Sequence, residues 1–305
     1  DRRCIYIASK LLLKPIYSRR LKGGDWVILA ANSDPLVVDE ETANSLSQNT
    51  DFLKECNHET VNILKDSGFF TDSNASSQLI PEEGVGLGWN ILRYGIILIG
   101  ILSILLVLVL IPYMGIPIGN KIISKEAPLW INIIYLLAFI FLTSILHELM
   151  HIVYARTWKY NAGRIKLLFK KAVAVVPMTH IWVWTITSRI TALAAGVIFD
   201  LLLLACLSWC RLFFDNWMIV SGASILWLKI LWQFGFHRNC DGHLLAMTIL
   251  DDPLIDLDTS NLESNIKNKK LYIWKVLKVF GYMIDLLLII FWLIPFLVSL
   301  FNYLK

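Results

Sequence analysis

The hydrophobic pattern divides the chain into two unlike parts. Residues 1–88 hold most of the turn and charge signals and contain no apolar run long enough to cross a bilayer. From residue 89 onward, long apolar runs alternate with short polar loops. A membrane-spanning helix needs about 20 mostly apolar residues. The runs that qualify are Trp89–Ile111, Leu129–Ala155, Ile190–Trp209, Trp217–Phe236 and Val279–Phe301. The pattern therefore predicts a mainly α membrane protein with about five transmembrane helices.

The first part of the chain predicts a small, winged-helix-like α+β domain. Two β-patterned runs, Trp26–Ala31 and Leu36–Val38, flank an Asn-Ser-Asp-Pro turn. Asp39 is placed to cap a following helix, and Gly68 is placed to end a second helix near 59–67. The Ser-, Asn-, Glu- and Gly-rich residues beyond it predict a flexible linker. The predicted division is 1–72 for the N-terminal domain, 73–88 for the linker and 89–305 for the membrane domain.

One apolar stretch is too short to be a span. Ala172–Ile186 contains Pro177 and His180, which favours a re-entrant or sheet-like element. The pattern does not choose between these two forms.

Composition favours lipid as the solvent for this excess of apolar residues. Hydrophobic residues make up 56% of the chain and charged residues 17%, with a mean hydropathy of +0.60. Soluble domains are about 45–50% apolar and about 25% charged. No basic run is interleaved with aromatic residues, so nucleic acid is not an expected partner. The five cysteines are too few and too scattered for a disulfide framework. The chain opens at Asp1 without a short apolar stretch, so no signal peptide is expected.

The distribution of Lys and Arg predicts the orientation in the membrane. The loops after the first and third predicted spans carry few basic residues. The loop after the second span carries many, without an acidic residue among them: Arg156, Lys159, Arg164, Lys166, Lys170, Lys171 and Arg189. Because basic loops stay in the cytosol, the N-terminal domain and the C-terminal end of the second span are both expected there.

A metal-binding motif stands at that end of the second span. His147-Glu148-Leu149-Met150-His151 has the form H-E-x-x-H, and residues four apart on a helix share one face, so both imidazoles can reach one Zn²⁺ ion. Zinc lowers the pKa of a bound water to about 7, and Glu148 is placed to take a proton from that water. Ionisable groups are costly inside a span, which favours a functional site over a structural one.

The two histidines leave a third protein ligand to be found. Asp241 follows the fourth predicted span and emerges on the same side of the membrane as the motif. His237 and His243 are nearby alternatives, because catalytic zinc accepts imidazole or carboxylate. His180 is a further candidate, for which a substrate-contacting or interfacial role is the better expectation.

Two more ionisable residues lie inside predicted spans. Asp200 is at the centre of the third span and Lys229 is within the fourth. Each would be costly alone in hydrocarbon. We therefore expect Asp200 to face the bundle interior, where it pairs with Lys229, orients substrate near the zinc or supports a zinc ligand.

Taken together, these motifs resemble the site-2 protease family of intramembrane zinc metalloproteases. In that family an H-E-x-x-H motif in the membrane is followed, one or two spans later, by an Asp-Gly segment, which is similar to Asp241-Gly242-His243-Leu244-Leu245 here. Ala195–Asp200 resembles the family's Ala-Gly-Pro-x-x-Asn, with Val197 for Pro and Asp200 for Asn. The usual Asn-Pro before Asp-Gly is missing. The resemblance implies a zinc endopeptidase with Glu148 as the catalytic residue and with His147, His151 and Asp241 as metal ligands.

The N-terminal region resembles a shortened PqqD-like peptide-recognition domain. The similar segments are Trp26–Leu29, Val37–Ala43 and Leu64–Phe69. Proteins that join such a domain to a site-2-type core resemble the peptide zinc metalloproteases of bacterial peptide-maturation clusters. The resemblance implies a precursor peptide bound by its leader as an added edge strand. It also implies a place in the bacterial cytoplasmic membrane and other peptide-maturation or export proteins as partners.

The leading hypothesis is a membrane-embedded endopeptidase that cleaves a ribosomally made precursor peptide at the cytosolic side. An alternative is a regulatory protease that cuts a membrane-anchored anti-sigma factor or a signal-peptide remnant, but no loop is long enough for an extracytosolic sensing domain. A second alternative is a non-catalytic peptide carrier or immunity protein, which would have no physical need for Glu148.

Overall fold

The computed structural model describes residues 11–48, 58–72, 79–160, 166–168, 173–175, 178–256 and 265–305. In the N-terminal region the elements are β1 (Leu11–Leu13), β2 (Tyr17–Arg20), β3 (Trp26–Leu29), β4 (Leu36–Val38), α1 (Glu40–Gln48), α2 (His58–Asp66) and β5 (Phe70–Asp72). Strands β2, β3 and β4 form an antiparallel sheet in that order, and β1 pairs with β5. The predicted α+β character of this region is confirmed.

Local sequence signals explain the turns of this N-terminal unit. Asp39 accepts a hydrogen bond from the backbone N–H of Thr42 at 2.7 Å, as expected for the residue that caps a helix start. Gly68 has a φ of 83°, a left-handed conformation that glycine adopts without steric cost. The following residue, Phe69, is fully buried in a small core with Ile28 and Leu64. Both helix-end predictions are therefore confirmed.

The remainder of the chain is mostly helical. The helices are α3 (Leu87–Met114), α4 (Leu129–Tyr154), α5 (Ile186–Cys210), α6 (Trp217–Trp232), α7 (Asp241–Leu250), α8 (Asn265–Leu288) and α9 (Ile294–Leu304), with a π-helical turn at Ile289–Leu293 between the last two. Short 3₁₀ turns occupy Gly119–Lys121, Thr157–Tyr160 and Thr179–Val183. Strands β6 (Lys166–Leu168) and β7 (Val173–Val175) pair antiparallel. The sheet-like interpretation of this segment therefore holds at β7, while 169–172 and 176–177 lie outside the described residues.

Within the described residues, four helical segments are long and apolar enough to cross a membrane. They are Leu87–Met114, Leu129–Tyr154, Ile186–Cys210 and Lys269–Leu304. The sequence predicted about five. The difference is α6, which has only 16 residues because the chain turns at Gln233–Gly235. A helix of that length covers roughly 24 Å, less than the hydrocarbon thickness of about 30 Å.

Helix α5 is the centre of the helical bundle. It packs against α3, α4, α6 and α7. Half of its most apolar window, 50%, is buried inside the protein, compared with 11% for α4. Helix α5 is therefore surrounded by protein, and α4 presents a broad apolar face outward.

The N-terminal unit packs directly against the helical part. Leu21 and Val27 share a buried cluster with Trp182, Met247 and Trp274. The contact therefore joins the N-terminal sheet to the segment before α5, to α7 and to α8.

Part of the predicted linker, residues 79–84, contacts the helical part. The indole of Trp184 donates a hydrogen bond to the Pro81 carbonyl at 3.2 Å. The Glu83 carboxylate accepts hydrogen bonds from the backbone and hydroxyl of Thr185. Residues 73–78, the first part of the predicted linker, lie outside the described residues.

Candidate metal centre

His147 and His151 occupy one face of α4, where the i, i+4 spacing places their rings side by side. Both are buried, with 3% and 1% of their surface exposed, and their Nε2 atoms are 3.2 Å apart. Asp241 stands at the start of α7 and completes the cluster. Its Oδ2 lies 2.8 Å from Nε2 of His147 and 3.1 Å from Nε2 of His151.

This donor set fits a zinc ion. Zinc–ligand bonds of about 2.0–2.1 Å in a tetrahedron place neighbouring ligand atoms about 3.3 Å apart. The three observed separations are 2.8, 3.1 and 3.2 Å. Two imidazoles and one carboxylate are also a ligand combination found in catalytic zinc sites. His147, His151 and Asp241 could therefore hold one metal ion.

A tight turn before α7 positions Asp241. Its backbone N–H donates to the side-chain carbonyl of Gln233 at 3.1 Å. A Cβ at Gly242 would lie only 1.9 Å from the Gln233 carbonyl oxygen, so the turn requires glycine there. Burial alone would raise the pKa of Asp241, but the adjacent imidazoles of His151 and His147 hold it below its usual value. The carboxylate is therefore ionised, as a metal ligand must be.

Helix α5 orients both imidazoles through their outer nitrogens. Nδ1 of His147 is 2.7 Å from Oδ2 of Asp200, and Nδ1 of His151 is 2.8 Å from the Ala192 carbonyl. Both acceptors require Nδ1 to carry the proton. In the neutral ring with its proton on Nδ1, the Nε2 lone pair would point to the centre of the cluster, which is the tautomer that metal binding needs.

Gly196 allows α5 to approach this closely. Ala192, Gly196 and Asp200 are four residues apart and form one stripe on α5. A Cβ at Gly196 would lie 2.5 Å from Nε2 of His147 and 2.6 Å from Nε2 of His151. No other residue type could stand there without displacing an imidazole.

Glu148 is half-buried on the same turn of α4 as the two histidines. It is close enough to His151, His147 and Asp241 for their charges to interact with its carboxylate.

The other histidines considered as ligands lie apart from the cluster. Nδ1 of His243 lies 2.8 Å from the Phe236 carbonyl oxygen, and the ring packs edge-on against Trp274. His237 pairs with Asp285 at 3.0 Å. Of the four candidates for the third ligand, Asp241 is the one that the structure places beside the H-E-x-x-H motif.

His180 is also structural in its contacts. Its Nε2–H donates to the Ala155 carbonyl at 2.8 Å. Burial lowers its pKa to about 4, and the hydrogen bond only partly opposes that shift. The ring is therefore neutral near neutral pH and holds the end of α4 against the segment before α5.

Asp200 and Lys229 form the expected ion pair. The Asp200 side chain has no exposed surface, and its Oδ1 lies 2.9 Å from Nζ of Lys229. The prediction that Asp200 faces the interior and pairs with Lys229 is confirmed.

Sequence reasoning also misses a buried ionic junction behind the cluster. Asp251, at the end of α7, binds Arg19 of β2 at 2.7 Å and Arg189 of α5 at 2.9 Å. The sequence pattern places Arg189 among the basic loop residues. In the structure it lies inside α5 with 1% of its surface exposed, so it carries no weight in the charge argument for orientation.

No protein-family model, curated protein or solved structure matches the chain. The resemblance to the site-2 protease family therefore rests on the motifs quoted above.

Proposed function

We propose that this chain is a membrane-embedded zinc endopeptidase that hydrolyses a peptide bond of a ribosomally made precursor peptide. The observation that carries the proposal is the convergence of His147, His151 and Asp241 within hydrogen-bonding distance, from helices far apart in sequence. Glu148 adds a half-buried carboxylate next to His147 in the chain, which a purely structural metal site would not need.

Each residue has a defined part in the proposed reaction. His147, His151 and Asp241 would hold the zinc, which supplies Lewis acidity to polarise a carbonyl and to activate water. Glu148 would accept the proton of the attacking water and deliver it to the leaving amine nitrogen. Asp200 and the Ala192 carbonyl, which lie 2.7 and 2.8 Å from the two Nδ1 atoms, would favour the ligating tautomer of both imidazoles.

Two features support the substrate class and its membrane setting. The resemblance of residues 1–72 to a peptide-recognition domain supports a peptide with a leader, and the helices long enough to cross a bilayer support a membrane setting. The predicted orientation would place the N-terminal unit and the zinc on the cytosolic side.

The test combines metal analysis with a cleavage assay on the purified full-length chain. Wild-type protein should contain one zinc per chain and cleave a precursor peptide. Glu148→Gln should keep the zinc and lose cleavage, because it removes the proton acceptor without touching a ligand. Equal cleavage by the wild type and Glu148→Gln would rule out the proposed role of Glu148. A chain that binds zinc without cleaving any peptide would favour the carrier alternative.

A further inference from the structure

Three side chains connect the metal cluster to the neighbouring helix α6. Lys229 of α6 donates to Oδ1 of Asp200 at 2.9 Å, and Oδ2 of Asp200 receives Nδ1–H of His147 at 2.7 Å. Lys229 also donates to the Thr143 carbonyl of α4 at 3.1 Å. Each oxygen of the fully buried Asp200 carboxylate therefore accepts a hydrogen bond from a different helix, Oδ1 from α6 and Oδ2 from α4.

We propose that Asp200 is a positioning residue for the metal ligand His147, and that Lys229 makes this possible by compensating the buried charge. The inference rests on the metal site of the proposed function but not on its peptidase activity. It assigns to the α5 carboxylate a role in metal affinity, beyond that of an ion pair that stabilises the bundle.

The two histidines are held unequally. His151 is oriented by a neutral backbone carbonyl, whereas His147 is oriented by a carboxylate. Hydrogen bonds to an ionised acceptor are roughly twice as strong as neutral ones. They also raise the basicity of a ligating imidazole. Of the two histidines, His147 is therefore the one whose partner is a side chain, so a substitution can remove that partner and test its effect on metal affinity.

Charge balance explains the presence of Lys229. An ionised carboxylate with no exposed surface is strongly unfavourable without a cationic partner. Lys229 is the cation that offsets the Asp200 charge, since its Nζ lies 2.9 Å from Oδ1 of Asp200.

The test compares two double variants that both lack the buried ion pair. Asp200→Asn with Lys229→Met keeps a carbonyl oxygen for His147 and removes the competing donor. Asp200→Ala with Lys229→Met removes the acceptor as well. The two differ in whether His147 has a partner at Nδ1, while the formal charge is the same.

Metal affinity is the readout, measured on the full-length protein by competition with a chromophoric chelator for Zn²⁺. The Co²⁺ absorption spectrum reports the ligand geometry independently. We expect Asp200→Ala/Lys229→Met to bind zinc about 10–100-fold more weakly than wild type, the usual loss when a ligand's outer partner is removed. Asp200→Asn/Lys229→Met should recover most of that affinity.

The single variant Asp200→Asn tests the role of Lys229. Its one carbonyl oxygen must serve two donors, His147 and Lys229, so it should bind zinc more weakly than Asp200→Asn/Lys229→Met. Asp251→Asn is the matched control, because it alters a buried carboxylate with two cationic partners outside the cluster. It should keep the wild-type metal affinity. Thermal unfolding without metal shows which variants fold.

Equal zinc affinity for the two double variants would overturn the role of Asp200 in positioning His147. If the single variant Asp200→Asn binds zinc as tightly as the double variant Asp200→Asn/Lys229→Met, the proposed role of Lys229 is overturned. A wild-type chain that binds metal but does not cleave peptides leaves this inference standing and removes the peptidase proposal. A wild-type chain that binds no metal removes both.

Discussion

Gly196 of α5 lies directly against His147 of α4. A Cβ at this glycine would stand 2.5 Å from Nε2 of the imidazole, closer than any side-chain carbon can approach. The same atom would also contact His151. The metal cluster therefore depends on one residue that carries no side chain.

The first prediction follows from that contact. Gly196→Ala should abolish or sharply reduce zinc binding, because the added methyl group occupies the space of both Nε2 atoms. Overpacking of this kind costs about 1–3 kcal/mol, so the chain should still fold with a lowered Tm. Zinc content and thermal unfolding measure the two effects separately.

Gly95→Ala in α3 is the matched control for this substitution. A Cβ there has no neighbour within 4 Å, and alanine is the better helix former. It should keep full zinc occupancy. Normal zinc binding by Gly196→Ala would show that the imidazoles do not need this close packing.

The second prediction distinguishes the third ligand from its neighbour two residues along the chain. Asp241→Ala should lower zinc affinity, because it removes one of three donor atoms. His243→Ala should keep zinc, since that ring contacts the Phe236 carbonyl and Trp274 instead. Zinc stoichiometry of the purified variants measures both. The reverse pattern would mean that the third ligand is misassigned.

The third prediction concerns the junction of Asp251 with Arg19 and Arg189. Burial would raise the pKa of Asp251, but Arg19, the backbone N–H of Lys22 and Arg189 lower it to about 2. A carboxyl group in an unfolded chain titrates near 3.9. Because the folded pKa is the lower one, the junction stabilises the fold fully above about pH 4 and is lost as the pH falls towards about 2.

Asp251→Asn tests that pH window. Near neutral pH the variant should be less stable than the wild type by about 1.5–3 kcal/mol, the range for hydrogen bonds to charged groups. The difference in Tm should shrink between about pH 4 and about pH 2. A difference that stays constant across this interval would contradict a role for the ionised carboxylate.

The fourth prediction addresses the N-terminal unit. Deleting residues 1–72 should lower Tm and zinc content together, because it uncovers Trp182, Met247 and Trp274. Cleavage of a long precursor and of a short peptide spanning the cut should then fall in parallel. Intact zinc with a selective loss on the long precursor would favour a role confined to peptide docking.

The parts of the site that could be predicted from sequence are those that local spacing determines. The i, i+4 separation places His147 and His151 on one helical face in any setting. Asp241 was reachable through the count of helices between it and the motif. The Asp39 cap and the Gly68 helix end follow from the conformational preferences of single residues.

The parts that could not be predicted depend on pairing between distant helices. The acceptor for His151 is the Ala192 carbonyl, a backbone group that every residue has, so the sequence gives no signal for it. The sequence shows Gly196 only as a small residue in an apolar helix, because its contact with His147 and His151 depends on the packing of two helices. Arg189 looks like a loop charge because its partner, Asp251, is 62 residues away. Helix α6 ends at Trp232, earlier than its hydropathy suggests, because the chain turns at Gln233–Gly235. This turn precedes Asp241.

The stripe formed by Ala192, Gly196 and Asp200 has a consequence for assembly. Each histidine of α4 meets its own partner on α5, and the glycine lies between them. A slip of one helical turn, about 5.4 Å, would move the Asp200 carboxylate away from His147 and bring a side chain against the rings. Metal loading therefore reports the alignment of these two helices, so that a chain with misaligned helices would be unable to acquire the ion.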